Sequence, residues 1–326
     1  MFTAPITNDS EYLKIFISDA DIEYKENANI SFCSKTMGEY LYKVSHEFNL
    51  DDDVFFISVE LLNKYLTMSI ISTFGDGNAV TDEEQNVDEQ LSDQQILDKA
   101  TLSSEQYIQN KHLLATACLQ IAAKACQKFV DNPRLEEYLQ EIEIQEITKD
   151  NLLETEIKIL KTIHYQIPIH IPHVFISYFL RFFNDEISPC KFFNYERFHN
   201  LSMVILLHIY LKWDLLIKKL ARIENGLTDV TEEQTDIISH RLKDCLLLGS
   251  STILAASKIS GLDSKLHNKI INLFVQYLGF NPMRIYISEF IIKESISDDN
   301  ITDVMETKED EEITQTEPIL THMTAS

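Results

Sequence analysis

The chain has 326 residues, 44% of them hydrophobic, and a formal net charge of −24. That length holds two domains of ordinary size with real cores, and the charge excludes a general affinity for nucleic-acid phosphates, since no basic run offsets it. Seven Gly and seven Pro are too few for a turn-rich all-β or Rossmann-type fold, and no Gly-rich phosphate loop is present, so nucleotide binding has no support and protein partners are expected.

Apolar residues recur at helical spacing along almost the whole chain. Residues 34–49 place Met37, Leu41, Val44 and Phe48 at steps of three and four. Asp51-Asp52-Asp53 then opens a second helix, from Asp53 to about Thr73, where carboxylates favour a helix N-terminus. From Gly75 to about Ser104 the chain becomes acidic and amide-rich, and reads as a mobile insertion. A helix of small residues follows, from about Glu105 to Phe129. Its stretch Leu113 to Lys124 is apolar on every side and ends in a single lysine. A shorter helix starts after Asn132-Pro133, and a Glu-rich amphipathic helix covers 149–165, broken by Pro168 and Pro172. His173 to Phe183 closes this first group, and a short linker holds Ser188-Pro189.

The second half repeats the plan, with helices predicted at about 195–222, 238–259, 263–278 and 282–294. Leu246 to Lys258 resembles the earlier small-residue stretch in kind, with an Ala pair followed by a lysine. A helix apolar all round is buried among others, so both halves read as bundles wrapped about a central helix. The tail from Ser297 is acidic and Thr-rich, and is expected to be disordered.

Five cysteines, Cys33, Cys118, Cys126, Cys190 and Cys245, include no C-x-x-C spacing. Cys118 and Cys126 fall in the predicted small-residue helix and act there as apolar fillers, an intracellular pattern. The N-terminus lacks a basic region followed by an apolar one, so no secretory signal is expected. The apolar run near Leu201 to Leu211 is too short to span a bilayer.

Two charged residues stand out. Glu156 has Leu152, Leu153, Ile159 and Leu160 as its helical neighbours, so it needs a partner or sits at the edge of a core. Lys124 marks where the small-residue helix emerges into water. A Lys and a Glu on adjacent helices can grip the backbone carbonyl and amide groups of a partner segment. His170 and His173 are three apart, but Pro172 lies between them and no third ligand is evident, so no metal site is expected. No catalytic arrangement is recognisable, and no cofactor is expected. Ser188-Pro189-Cys190-Lys191 fits the minimal preference of a proline-directed kinase, which makes Ser188 a candidate phosphorylation site.

These residues carry a likeness to the cyclin family. Tyr40-Leu41, His46-Glu47-Phe48-Asn49-Leu50 and Val59 to Leu66 resemble the first two helices of a cyclin box. Leu119 to Ala125 is similar to the cyclin Leu-Leu-Ala-Ser-Lys helix, and Leu153 to Tyr165 to the fifth helix, Met-Glu-x-x-x-Leu-x-x-Leu-x-Phe. The resemblance implies two consecutive all-α cyclin-type bundles of about five helices each. Their expected bounds are an N-terminal segment at 1–32, a box at 33–185, a second domain at 186–296 and a tail at 297–326. It implies that Lys124 and Glu156 bind backbone around the C-helix of a cyclin-dependent kinase. Ile121, Ala125, Leu160, Tyr165 and Ile167 supply the apolar part of the same groove. Such a chain is a regulatory subunit and not an enzyme.

Leu152 to Lys161 and Tyr165 resemble a meiotic subgroup of the family that promotes crossovers, which implies a nuclear, chromosome-associated protein. Its implied partners are a kinase of the cyclin-dependent kinase 2 type and other recombination proteins. Direct nucleic-acid and membrane contacts are not expected. One departure concerns substrate recruitment. Where cyclins with a recruitment patch have Met-Arg-x-Ile-Leu, this chain has Cys33-Ser34-Lys35-Thr36-Met37, and Asn63 replaces the supporting acid.

Overall fold

The computed structural model describes residues 13–20, 35–75, 110–128, 130, 132–142, 147–187, 194–225, 231–242 and 244–279. Among them every regular element is a helix, so the protein is all-α. Twelve helices are described: α1 (13–20), α2 (Lys35–Glu47), α3 (Asp52–Gly75), α4 (110–125), α5 (Asn132–Glu141), α6 (Lys149–Thr162), α7 (Pro172–Ile187), α8 (Tyr195–Leu211), α9 (Trp213–Asn225), α10 (Glu232–Leu242), α11 (Cys245–Ile259) and α12 (Ser264–Leu278). Ser188, the insertion after Gly75, the helix expected at 282–294, Cys33-Ser34 and the tail lie outside the described residues.

Both small-residue helices are enclosed as their composition demands. In α11 every side chain from Cys245 to Ser257 is buried, and α7, α8, α10 and α12 pack around it. Ser251 and Thr252 satisfy their hydroxyls by donating to the carbonyls of Leu247 and Leu248 at 2.8 Å, whereas the buried Ser250 hydroxyl has no hydrogen-bond partner among the described residues. Leu114 to Ala123 of α4 are buried throughout. There Thr116 donates to the His112 carbonyl at 2.7 Å, which leaves its oxygen to accept from the Tyr40 hydroxyl of α2 at 2.5 Å.

Gly249 shows why small residues line α11. A Cβ built there lies 2.5 Å from Cδ1 of Phe175, a fully buried ring of α7. Gly249→Ala is therefore expected to destabilise by about 1–3 kcal/mol through overpacking, although alanine is the better helix former. Thermal unfolding checks this, and an unchanged or raised Tm would refute it.

Packing alters several sequence expectations. The single helix predicted at 195–222 is two, α8 and α9, bent by 86° around Lys212. No single described helix is long and apolar enough to cross a membrane, and this bent pair passes such a test only jointly. The helix predicted from 238 is likewise divided. α10 ends at Leu242, and Asp244 caps a fresh start by accepting from Leu246 and Leu247 N–H at 2.9 and 3.3 Å. α6 ends at Thr162, ahead of both prolines, because His164 and Tyr165 take left-handed conformations. Cys126 is not in α4 but in the turn just after it, half-buried.

α1 belongs to the fold although no helix is predicted in the N-terminal segment at 1–32; Leu13, Phe16, Ile17 and Ala20 stand at i, i+3, i+4 and i+7. Leu13 and Ala20 are buried, and Phe16 packs on the rings of His170, Phe175 and Tyr178. Buried side chains from Leu13 to Phe274 form one continuous core that spans both halves of the chain. The halves are also joined by Tyr210 of α8, which donates to Glu60 of α3 at 2.6 Å.

Candidate functional site

The last turn of α4 carries Lys124. Just beyond it Gln127 turns left-handed, at φ 57°, and Lys128 N–H bonds back to the Ala123 carbonyl at 2.8 Å. Lys128 then pairs with Asp51 at 2.6 Å, pinning this turn to the start of α3. The adjacent carboxylate holds the Lys128 ammonium above its ordinary pKa.

Glu156 comes from α6, whose start is fixed by a reciprocal cap. Thr148 N–H donates to Asn151 Oδ1 at 2.7 Å, and Asn151 N–H donates to Thr148 Oγ1 at 3.4 Å. Leu152, Glu156 and Ile159 form the buried edge of the helix.

Lys124 Nζ donates to Glu156 Oε2 at 2.5 Å, across 32 residues of sequence. The pair is lopsided: the Glu156 side chain is 8% exposed and that of Lys124 is 58% exposed. The carboxylate that the sequence left stranded on an apolar face therefore finds its partner in the neighbouring helix. An ammonium has three donors, so Lys124 keeps N–H groups directed outward for a second acceptor.

The other groove candidates divide by exposure. Ile121 is buried, Leu160 and Ile167 are half-buried, and Ala125 is exposed. Tyr165 is 65% exposed. Sequence reasoning also missed three residues. Leu153, Ile157 and Ile169 are 51%, 44% and 62% exposed, an unusual display of large apolar groups. Helical spacing makes Leu153 a neighbour of Glu156, yet its side chain faces solvent. Leu153, Ile157 and Leu160 follow at steps of four and three, so they continue the edge of Glu156 outward along α6.

His164 and Tyr165 sit at φ 52° and 61°, a conformation that costs non-glycine residues about 1–3 kcal/mol each. Three backbone bonds impose it: His164 N–H to Lys161 O, Tyr165 N–H to Leu160 O and Gln166 N–H to Ile163 O, at 3.1, 2.7 and 3.0 Å. The strain projects an aromatic ring into solvent, where it adds nothing to the core. Tyr165→Gly is expected to leave stability unchanged or raise it by about 1 kcal/mol. Chemical denaturation measures this, and a clear loss of stability would assign the ring a packing role.

The two histidines point elsewhere. His170 Nε2 lies 4.0 Å from Asp19 of α1, and His173 Nε2 lies 3.5 Å from Asp53 of α3. His173 is buried, stacks on Phe56 at 5.1 Å between centroids, and leaves Nδ1 without a hydrogen-bond partner. No group of three or more His, Cys, Asp or Glu suited to a metal occurs among the described residues.

No model of a known protein family matches the chain, and no curated protein matches it in sequence.

Proposed function

We propose that this protein is a cyclin-like regulatory subunit that holds a cyclin-dependent kinase against the α4–α6 edge, and that it acts in meiotic crossover formation. The two halves of its helical fold, in this reading, are cyclin-type domains. The observation that carries the reading is the Lys124–Glu156 pair beside a row of exposed apolar side chains. Apolar contacts with Leu160, Tyr165 and Ile167 supply affinity, while Lys124 and Glu156 fix register against partner backbone. The chain then does no chemistry itself. It biases the kinase C-helix toward the inward position in which its Glu reaches the catalytic Lys. The meiotic assignment rests on the resemblance of Leu152 to Tyr165 to cyclin N-terminal domain-containing protein 1, and places the chain in the nucleus on meiotic chromosomes.

The test is recovery of the tagged full chain from germ cells, with identification of the bound kinase. Capture of a cyclin-dependent kinase that is weakened by Tyr165→Gly supports the reading. Recovery of recombination or transcription proteins with no kinase makes the chain a kinase-independent scaffold and overturns it.

A further inference from the structure

We propose that the outward face of α9 is a docking surface for an acidic segment of this same chain, residues 298–312. The inference is independent of the kinase reading. α9 buries Trp213, Leu216, Ile217 and Leu220, and turns a different chemistry outward. Leu215 and Ile223 are 46% and 51% exposed, and Lys218 and Arg222 are exposed between them. Helical spacing brings Lys219 to the same face, where it is half-buried and has a partner within the fold. Asp214 stands at the rim.

This concentration of cations occurs in a chain with 28 basic and 52 acidic residues. No run of bases marks it in the sequence, because the cations are spaced at helical intervals. Among the described residues neither Lys218 nor Arg222 forms an ion pair, and the exposed Glu233 and Asp236 of the packed helix α10 engage neither. Cations alternating with exposed Leu and Ile match a peptide in which carboxylates alternate with apolar side chains. They match a bare phosphate backbone less well, because it offers nothing for the apolar groups.

Residues 298–312 have that composition. Asp298, Asp299, Asp303, Glu306, Glu309, Asp310, Glu311 and Glu312 are interleaved with Ile301, Val304 and Met305, against the single base Lys308. Eighteen residues lie between Gly279, the last described, and Asp298. With the helix predicted at 282–294 they reach about 40 Å, about twice the radius of gyration of about 19 Å expected for the folded body. Tethering makes the contact intramolecular, which favours this segment over an acidic partner in trans.

Zero-length carbodiimide cross-linking of the dilute full chain at low salt tests the proposal, because it joins only lysines and carboxylates already in contact. Lys218 is expected to link to residues 298–312 within one chain, several-fold more often than the exposed lysines Lys14, Lys43 and Lys265. High salt should remove the excess. So should the combined substitution Glu309→Lys, Asp310→Lys, Glu311→Lys and Glu312→Lys, or Arg222→Glu alone on the exposed helix face. Lys218 links at the level of the control lysines, or links to another segment or a second chain, would overturn the proposal.

Discussion

Lys124→Ala combined with Glu156→Ala is expected to lower kinase capture by about 30-fold or more while the helical fold persists. The magnitude follows from truncating a charged, hydrogen-bonded pair at the centre of an interface, which costs about 2–5 kcal/mol of binding. Folding stability should respond in a different order. Lys124→Ala alone leaves a carboxylate at 8% exposure with its cation gone, and is expected to cost about 1–3 kcal/mol. Glu156→Leu removes the buried charge itself and is expected to be neutral or stabilising, since an apolar side chain suits that surrounding. Chemical denaturation and a calorimetric binding titration separate the two effects. Full affinity in a folded double variant would remove the pair from the proposed interface.

The second large effect concerns pH. Burial, and secondarily the charge of nearby His199, push the His173 pKa from 6.5 down to about 3. The folded state therefore resists a proton that the unfolded chain accepts freely. Stability is complete above the unfolded value of 6.5 and is lost as pH falls from there toward 3. This residue alone is expected to cost about 2 kcal/mol between pH 7.5 and pH 5, and more below. The surroundings offer little relief. Asp53 approaches Nε2, yet its own pKa is raised by burial and by Asp51 and Asp52, so its charge weakens as the pH drops. Nδ1 has no partner to share a proton.

His173→Phe keeps the stack on Phe56 and removes the titration. Its unfolding free energy should be flatter with pH over this window. Some slope will persist, because burial also lowers the pKa of His199. Parallel acid-limb denaturation curves for the two proteins would show that His173 is not the residue responsible.

Some of the architecture is written in composition. The stretches around Leu119 and Leu254 carry small apolar residues on every side, and only enclosure by other helices satisfies such a surface. Their burial in α4 and α11 was therefore legible. The bend at Lys212 was not, because helical periodicity runs unbroken from α8 into α9. The apolar faces of both halves must still meet one core, and a straight helix cannot present both to it. α1 is a different case: Leu13, Phe16, Ile17 and Ala20 fall on one helical face, but eight residues are too few to hold a helix alone, and their order comes from Phe16 seated on α7.

The candidate site divides along the same line. The sequence by itself determined which residues were anomalous: a carboxylate among leucines and isoleucines, and a lysine closing an apolar helix. Local spacing settles that much, since neighbours on a helix are fixed by its pitch. Only the tertiary structure decided that Lys124 and Glu156 answer each other, because their meeting depends on how α4 and α6 are set side by side. Only it decided that Leu153 and Ile157 face outward, since periodicity defines an apolar arc but not how much of that arc other helices cover. The exposed ring of Tyr165 has a local cause instead, held out by backbone bonds within residues 160–166 that close the end of α6.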